Sequence, residues 1–488
     1  MSRLNLCLIG IAALMCSFGV LAENIIRASA PVLLAEQAHV EPEIPPQLSL
    51  QESSLPDAKV GVAYQYDFSS LVSWEGLNGV APTLNWTSAN ALPAGLSVSN
   101  LGILEGTPAA REKTSFEIVA THEEGEGKQI YTLNVAGTTF KATNIVVGIY
   151  HACAITPEGS VKCWGYNGRG QLGDGTTTTS DHPVSVVNLP DIVKISAGGH
   201  FTCAITKTAE VMCWGMGSDG QIGNGAFADV LFPTRVSGLS GVVEISQGWN
   251  HACARLSGGS VSCWGLNASG QLGNGAVTNS SVPVSTSNVA GAVQIAADGY
   301  HSCVVTSAGT AKCWGNNAYG QIGDASTIFR RTATDVKSLS GIRKLSLGQF
   351  HSCALLMTDN VMCWGYNARG QVGNGGTTNQ TTPVAVSGLA GVSDIEMGSE
   401  HSCALLKSGS VNCWGNNAYG QLGDGTTTSR YVPVTVANSS GIAQIAQGNY
   451  FGCSLSGSSH VQCWGRGDFS SLGNGLREHH SLPTDVIE

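Results

Sequence analysis

A fifty-residue period governs this sequence. Two cysteines ten residues apart recur seven times: Cys153 and Cys163, Cys203 and Cys213, Cys253 and Cys263, Cys303 and Cys313, Cys353 and Cys363, Cys403 and Cys413, Cys453 and Cys463. No net insertion breaks the spacing. The run from His401 to Gly425, HSCALLKSGSVNCWGNNAYGQLGDG, is typical: two cysteines around a short gap, Trp-Gly after the second, then a glycine-rich loop. A unit this small cannot bury its own apolar faces, so neighbouring units must cover it.

Each unit offers four short strand candidates. The first ends at Ile145, Ile195, Ile245, Ile295, Leu345, Ile395 or Ile445, and glycine follows three residues later except at Asp298. The second carries the first cysteine and the third carries the second cysteine with its tryptophan, as in Val361, Cys363 and Trp364. The fourth is expected to start at Pro183, Pro233, Pro283, Pro383, Pro433 or Pro483, with Ala333 in that slot in one unit. Antiparallel partners have a constant sum of residue numbers. Pairing Cys153 with Cys163 therefore sets Ile155 against Val161 and centres the turn on Glu158, with Gly159 able to take positive φ. Cysteines opposed at a non-hydrogen-bonded pair stand about 4.5 Å apart at Cα, at the short end of disulfide geometry. Each unit can thus close one cross-strand bridge contributing ~2–3 kcal/mol.

Four-stranded units repeated seven times imply an all-β, seven-bladed β-propeller. A closed ring fits better than an open solenoid, because the terminal units lack polar caps. The C-terminal Pro483–Val486 run matches a fourth strand and is expected to pair beside the first unit, closing the ring.

Composition agrees with this class. Charged residues make up 12%, about half the usual ~25%, and the 63 glycines suit a protein of many tight turns. A net charge of −10 argues against a nucleic-acid partner. Arg3, the apolar run Leu6–Leu21 and the Val20-Leu21-Ala22 segment have the order of an export signal, so 1–22 is expected to be a signal peptide. Cys7 and Cys16 leave with it, and the other 14 of the 16 cysteines are the seven pairs. An even, repeated set in an exported chain reads as disulfides. The expected destination is the periplasm, the cell surface or the medium, as a monomer with no membrane span after signal removal.

Residues 23–44 read as a linker and 45–137 as a separate β domain, with the repeats filling 138–488. In the smaller domain, Val62, Tyr64, Tyr66 and Phe68 alternate as a strand would. Further strands are expected over Ser115–Ala120 and Gln129–Val135. LPAGLSVSNLGILEGTP, from Leu92 to Pro108, followed by Ala120-Thr121, resembles the signature of immunoglobulin-like domains in bacterial surface proteins. The resemblance implies a β-sandwich acting as a spacer or adhesive unit. A calcium site occurs in that wider group, but Glu123, Glu124 and Glu126 read as a solvated loop.

The repeat G-x-x-H-x-C-A-L…G-x-V-x-C-W-G-x-N-x-x-G-Q-L-G-[DN]-G-T…P resembles that of the regulator of chromosome condensation family, which implies a seven-bladed propeller. Gly217 departs from the pattern in the second unit, as do Phe451 and Ser470-Ser471 in the seventh. The paired cysteines resemble exported bacterial and plant receptor members. The family also offers functions by analogy. One branch exchanges guanine nucleotides on a nuclear GTPase; the leader, the acidic balance and the unbroken spacing, without an inserted wedge, argue against it. A secreted relative inhibits β-lactamase through aromatic residues on one propeller face.

The motif residues themselves offer little chemistry. His151, His251, His301, His351 and His401 stand two residues before a cysteine, which suggests a metal site. Yet Phe201 and Phe451 hold that slot in two units whose cysteines remain, so packed histidines beside disulfides are expected, with no metal or cofactor. Asp174, Asp324 and Asp424 exchange with Asn224, Asn274, Asn374 and Asn474, which is turn chemistry. No nucleophile elbow or phosphate loop is present, so an enzyme is not expected; a carbohydrate-active or other secreted hydrolase is the alternative. Binding remains, with a protein or other macromolecule as partner. Tyr150, Trp249, Tyr300, Phe350 and Tyr450 precede the second strands, and Arg169, Tyr319, Arg369, Tyr419 and Phe469 follow the Trp-Gly pairs. These slots vary between units and carry the residue types that anchor interfaces, so they form the expected binding face.

Overall fold

The computed structural model describes residues 47–75, 83–123 and 125–488. The expected signal peptide (1–22) and linker (23–44) lie outside these residues, as does Glu124. Seven four-stranded antiparallel sheets follow one another from Asn144 to Asp485, each with its strands in chain order. These are the blades of a propeller. In the fifth blade the strands are Ile342–Leu347, His351–Leu356, Val361–Gly365 and Gln380–Ala385. Cys353 faces Cys363 and Leu355 faces Val361, the register obtained by counting. Gly159 turns the first hairpin at φ +86°, and Ala209, Asp359 and Ser459 hold the same left-handed slot in other blades. All seven disulfides are formed within their hairpins, with Cα atoms 4.0–4.1 Å apart, and every one of these cysteines is fully buried.

The fourth strands begin three residues earlier than the prolines suggest, as in Ser180–Ser185 and His480–Asp485. Pro183 sits inside its strand, at a register shift between the Cys163–Val184 and Gly165–Ser180 pairs. An edge strand at a bulge needs no N–H there, so proline is tolerated in mid-strand rather than marking the start.

Two buried joints lock each blade to the next. Trp214 donates its indole N–H to the Gln171 carbonyl of the preceding blade at 2.9 Å, and Trp264, Trp314, Trp364, Trp414 and Trp464 repeat this on Gln221, Gln271, Gln321, Gln371 and Gln421. A Cβ on Gly173 would lie 2.6 Å from the Trp214 nitrogen, so the second glycine of the G-Q-x-G loop is a packing requirement. The second joint joins His151 Nε2 to Thr202 Oγ1 at 2.9 Å and His251, His301 and His351 to Ser302, Ser352 and Ser402 at 2.8–2.9 Å. These hydroxyls donate to loop carbonyls, such as Ser352 to Gln321 and Ser402 to Gln371. They can therefore only accept from the imidazole, which places the proton on Nε2. Where the histidine becomes Phe201 or Phe451, the facing residue becomes Ala252 or Ala152, an apolar pair in place of a hydrogen-bonded one. Burial holds His151, His251, His301 and His351 down to about 3 and His401 to about 4, neutral at physiological pH. The cysteines and histidines of the motif are thus staples and joints.

The ring closes through the C-terminal end, as expected, but through its last residues rather than through the whole strand. The last strand, His480–Asp485, pairs with Val461–Gly465 of its own blade, and blade one is complete without it. The segment ahead of blade one pairs with the end of the chain and with blade seven. Phe140 N–H bonds to Val486 O at 2.8 Å, Ala142 N–H to Ser459 O at 2.9 Å, and Glu488 N–H to Thr138 O at 2.9 Å. Trp164 completes the indole series on Ser471 O at 3.0 Å.

Residues 47–136 hold an immunoglobulin-like arrangement of short sheets. Glu112–His122 and Gly125–Ala136 form a long hairpin that sets Phe116 against Tyr131. Phe68, Leu104, Phe116, Tyr131 and Leu133 fill the core. Both hairpin strands run longer than the alternation predicted. The first predicted strand is shorter: it spans Tyr64–Asp67, with exposed Val62 in a turn and buried Phe68 past its end. Gly95 and Gly106 of the LPAGL and GTP segments cross so closely that a Cβ on either would meet the Thr107 or the Gly95 carbonyl oxygen at 2.1–2.2 Å. That crossing explains why both motif positions are glycine.

Candidate interaction face

The first strands of the blades line a central channel of about 280 Å³ whose wall carries Glu244, Asp298, Lys344 and Glu396. Lys344 Nζ reaches Asp394 at 2.6 Å and Glu396 at 2.7 Å. Burial pulls its pKa down, but the two carboxylates outweigh burial and hold it above the usual lysine value. Glu244 is held by Arg255 at 2.8 Å. The turns between first and second strands surround one mouth of this channel, where Trp249 and Asn449 border the opening.

Around that mouth stand two aromatic groups built from the variable slots. In the first, Tyr150 stacks on Phe469 with centroids 4.2 Å apart, and Tyr419 lies 5.3 Å from Tyr450. The Arg466 guanidinium sits between them, 4.9 Å from the Tyr419 and Phe469 centroids, 5.5 Å from Tyr150 and 5.9 Å from Tyr450. Four rings around one cation make a rigid platform. Asn449 Nδ2 donates to the Tyr150 hydroxyl at 3.1 Å and ties this platform to the mouth. In the second group, Trp249, Tyr300 and Phe350 run in series at 5.5 and 6.0 Å, and Tyr319 packs against Phe350 at 5.3 Å and Tyr366 at 4.8 Å.

Eight of the ten sequence-predicted face residues fall into these two groups, all half-buried with an edge outward. The two arginines do not join them. Arg169 is exposed and turned to Asp229 at 3.1 Å, and Arg369 is exposed without a ring contact among the described residues. Arg466, Tyr166 and Tyr366 were missed. They share the slot two residues after the tryptophan, which reads Tyr, Met, Leu, Asn, Tyr, Asn, Arg through the seven units. That variation is the signal in the sequence that points to this slot. Burial, with Glu400 nearby, raises the Tyr450 phenol, and burial with Asp219 does the same for Tyr300, so both keep their protons. His200, beside Tyr150 and Tyr166, is lowered by burial and by Arg169.

The glycine-loop aspartates and asparagines are turn residues. Asp174, Asn224, Asn274, Asp324, Asn374, Asp424 and Asn474 each accept the backbone N–H two residues on, at 3.0–3.1 Å. Asp324 and Asp424 also bind Arg330 and Arg430 of their own loops.

The profile of the RCC1-like domain matches residues 120–411, more than half of the chain. This chain belongs to the RCC1-like domain family. The RCC1 repeat, the regulator of chromosome condensation unit, matches 408–455, and the profile described as "Putative Ig domain" matches 46–136. Among curated relatives, a mitochondrial RCC1 domain-containing protein of Arabidopsis thaliana, RUG3, is 41% identical over 61 residues, 12% of this chain and 14% of that protein. The Homo sapiens E3 ubiquitin-protein ligase HERC2 is 38% identical over 60 residues, 12% of this chain and 1% of that protein. The matches therefore span a small part of either relative. Among solved structures, Prp20p of Saccharomyces cerevisiae aligns with a TM-score of 0.60 at 18% identity, covering 72% of this chain and 88% of that one. Human WBSCR16 aligns with a TM-score of 0.58 at 23% identity, covering 68% and 92%. These likenesses support the propeller fold of the RCC1-like region.

Proposed function

We propose that this RCC1-like protein is an exported, non-enzymatic scaffold that binds a protein partner through the aromatic face around the channel mouth, with the 45–137 domain as its spacer. The observation that carries this reading is the pair of preformed aromatic platforms, one organised by Arg466. Rigid aromatic and arginine anchors lose little conformational entropy on binding and dominate interface energetics. Seven intrachain disulfides favour an oxidising destination. Prp20p is described as binding Gsp1p and histones; what carries over to this chain is that a propeller of this shape can present a protein-binding face.

The test is capture of partners from envelope and culture fractions by the chain from residue 23 onward, compared with its Tyr300→Ala/Phe350→Ala variant. The expected result is a stoichiometric partner retained by the parent and lost by the variant. Equal retention by both would remove this face from the reading. Turnover of a carbohydrate substrate abolished by one carboxylate substitution would replace binding with hydrolysis.

A further inference from the structure

Six blades carry glycine where the first strand reaches the channel mouth, at 148, 198, 248, 348, 398 and 448, and the fourth carries Asp298. The Asp298 carboxyl borders a cavity of about 30 Å³ walled also by Gly148, Gly198, Gly248, Trp249 and Asn449. That space suits one water-sized group. Asp298 Oδ1 accepts the Gly299 N–H. No cation lies within ion-pair distance of it among the described residues, because Lys344 below is held by Asp394 and Glu396 and Arg255 by Glu244. Among the described residues, Asp298 is the only titratable group on the cavity wall, and the charged groups lining the channel beneath are Glu396, Lys344 and Glu244. A second observation points to a missing donor. Asn449 is only 5% exposed, yet its Oδ1, on the same wall, has no hydrogen-bond partner.

We propose that the channel mouth is a lysine pocket, in which one lysine of the protein partner sets its ammonium between the Asp298 carboxylate and Asn449 Oδ1 and lays its methylene stem against Trp249. This rests on the binding face proposed above and names the partner chemistry it selects. A half-buried carboxylate without a cation gains from a proton or a counter-charge. Burial, against the Gly299 hydrogen bond and with repulsion from Glu396, raises Asp298 to about 7, the proton-holding alternative. An ammonium, a compact point charge with three donors, suits this space. Gln447 Nε2, also unpartnered on this wall, is a donor and serves the carbonyl or water that accompanies the lysine.

The pocket can be tested without the partner. n-Butylammonium, a lysine side-chain mimic, is titrated into the full chain at pH 8 and followed by the Gly299 backbone and Asn449 side-chain amide resonances. Saturable shifts are expected, with none from tetramethylammonium, which has no N–H to donate. Because the ammonium binds the ionised carboxyl, affinity falls about tenfold from pH 8 to pH 6 for a group titrating near 7. Asp298→Gly, which restores the residue of the other six blades, is expected to abolish the shifts, and Asp298→Asn to weaken them at least tenfold. Shifts that do not saturate, that survive in Asp298→Gly, or that ignore pH overturn the proposal. Butylammonium binding alongside an inert Tyr300→Ala/Phe350→Ala variant would keep the pocket and discard the aromatic face. Loss of partner in that variant without butylammonium binding would do the reverse.

Discussion

The seams between blades and the face above them are made from one repeat, yet they obey opposite rules. At the seams, the indole–carbonyl bond recurs seven times with nearly the same length. On the face, the slot at 150 and its equivalents carries tyrosine, histidine, asparagine, phenylalanine or glutamate, the slot at 169 carries arginine, aspartate, serine, tyrosine or phenylalanine, and their contacts cross blades without period. Constancy marks residues whose partner is the next blade. Variation marks residues with no such obligation, which are free to suit a partner.

The sharpest way to break this contrast is at the closing seam. Deleting residues 481–488 removes most of the last strand, together with buried Val486 and its bond to Phe140. The melting temperature is expected to fall by roughly 10 °C or more, on the usual scaling for a loss of several kcal/mol; an unchanged calorimetric trace would show that the ring does not need this closure. Trp314→Ala removes a fully buried indole bonded to Gln271 O. A loss of about 3–5 kcal/mol is expected in denaturant titration, and a loss below about 1 kcal/mol would mean the seam is not the source of stability. Cys353→Ala/Cys363→Ala opens one ten-residue hairpin loop, with an expected loss of ~2–3 kcal/mol and partner capture unchanged.

The histidine joint gives a finer test. His351→Phe against Ser402 is expected to cost about 1–3 kcal/mol through overpacking. Adding Ser402→Ala recreates the Phe–Ala pairing of Phe201 with Ala252 and recovers most of that loss. The same pair tests pH dependence. A buried histidine held near 3 is neutral in the fold, while its unfolded counterpart titrates near 6.5. Its contribution is therefore complete above about pH 6.5 and is lost as pH falls from there toward about 3. The double variant should show a stability–pH slope shallower by one proton over that window; equal slopes would place the proton elsewhere. Smallest of all, Tyr300→Ala/Phe350→Ala should cost no more than about 1–2 kcal/mol of stability, since both rings are half-buried and only edge contacts are lost, while abolishing partner capture.

Much of the seam was legible beforehand. Comparing units within one chain separated staples from candidates, because exchange of Asp174 for Asn224, or of His351 for Phe451, is incompatible with charge-dependent chemistry. The coupling of Phe201 with Ala252 and of Phe451 with Ala152 was also written in the sequence, but it links residues 51 apart, or around the ring, and is invisible until one knows that neighbouring blades touch there. The prolines misplaced the fourth strands because proline at an edge bulge looks like proline at a strand start. The closing contact was expected at the C-terminal run, but only packing decides that the strand belongs to its own blade and that just its last residues reach 138–140.

What the sequence alone determined is local: the hairpin register, the seven disulfides and the glycine turns, all settled within about ten residues by cross-strand geometry. What the tertiary structure decided is the meeting of residues that the ring brings around, such as Tyr150 with Asn449, 299 positions apart. Arg466 among four rings and Asp298 alone at the channel mouth belong to this second kind. Closure places the last blade beside the first, and no periodicity along the chain encodes which variable residues will then face one another.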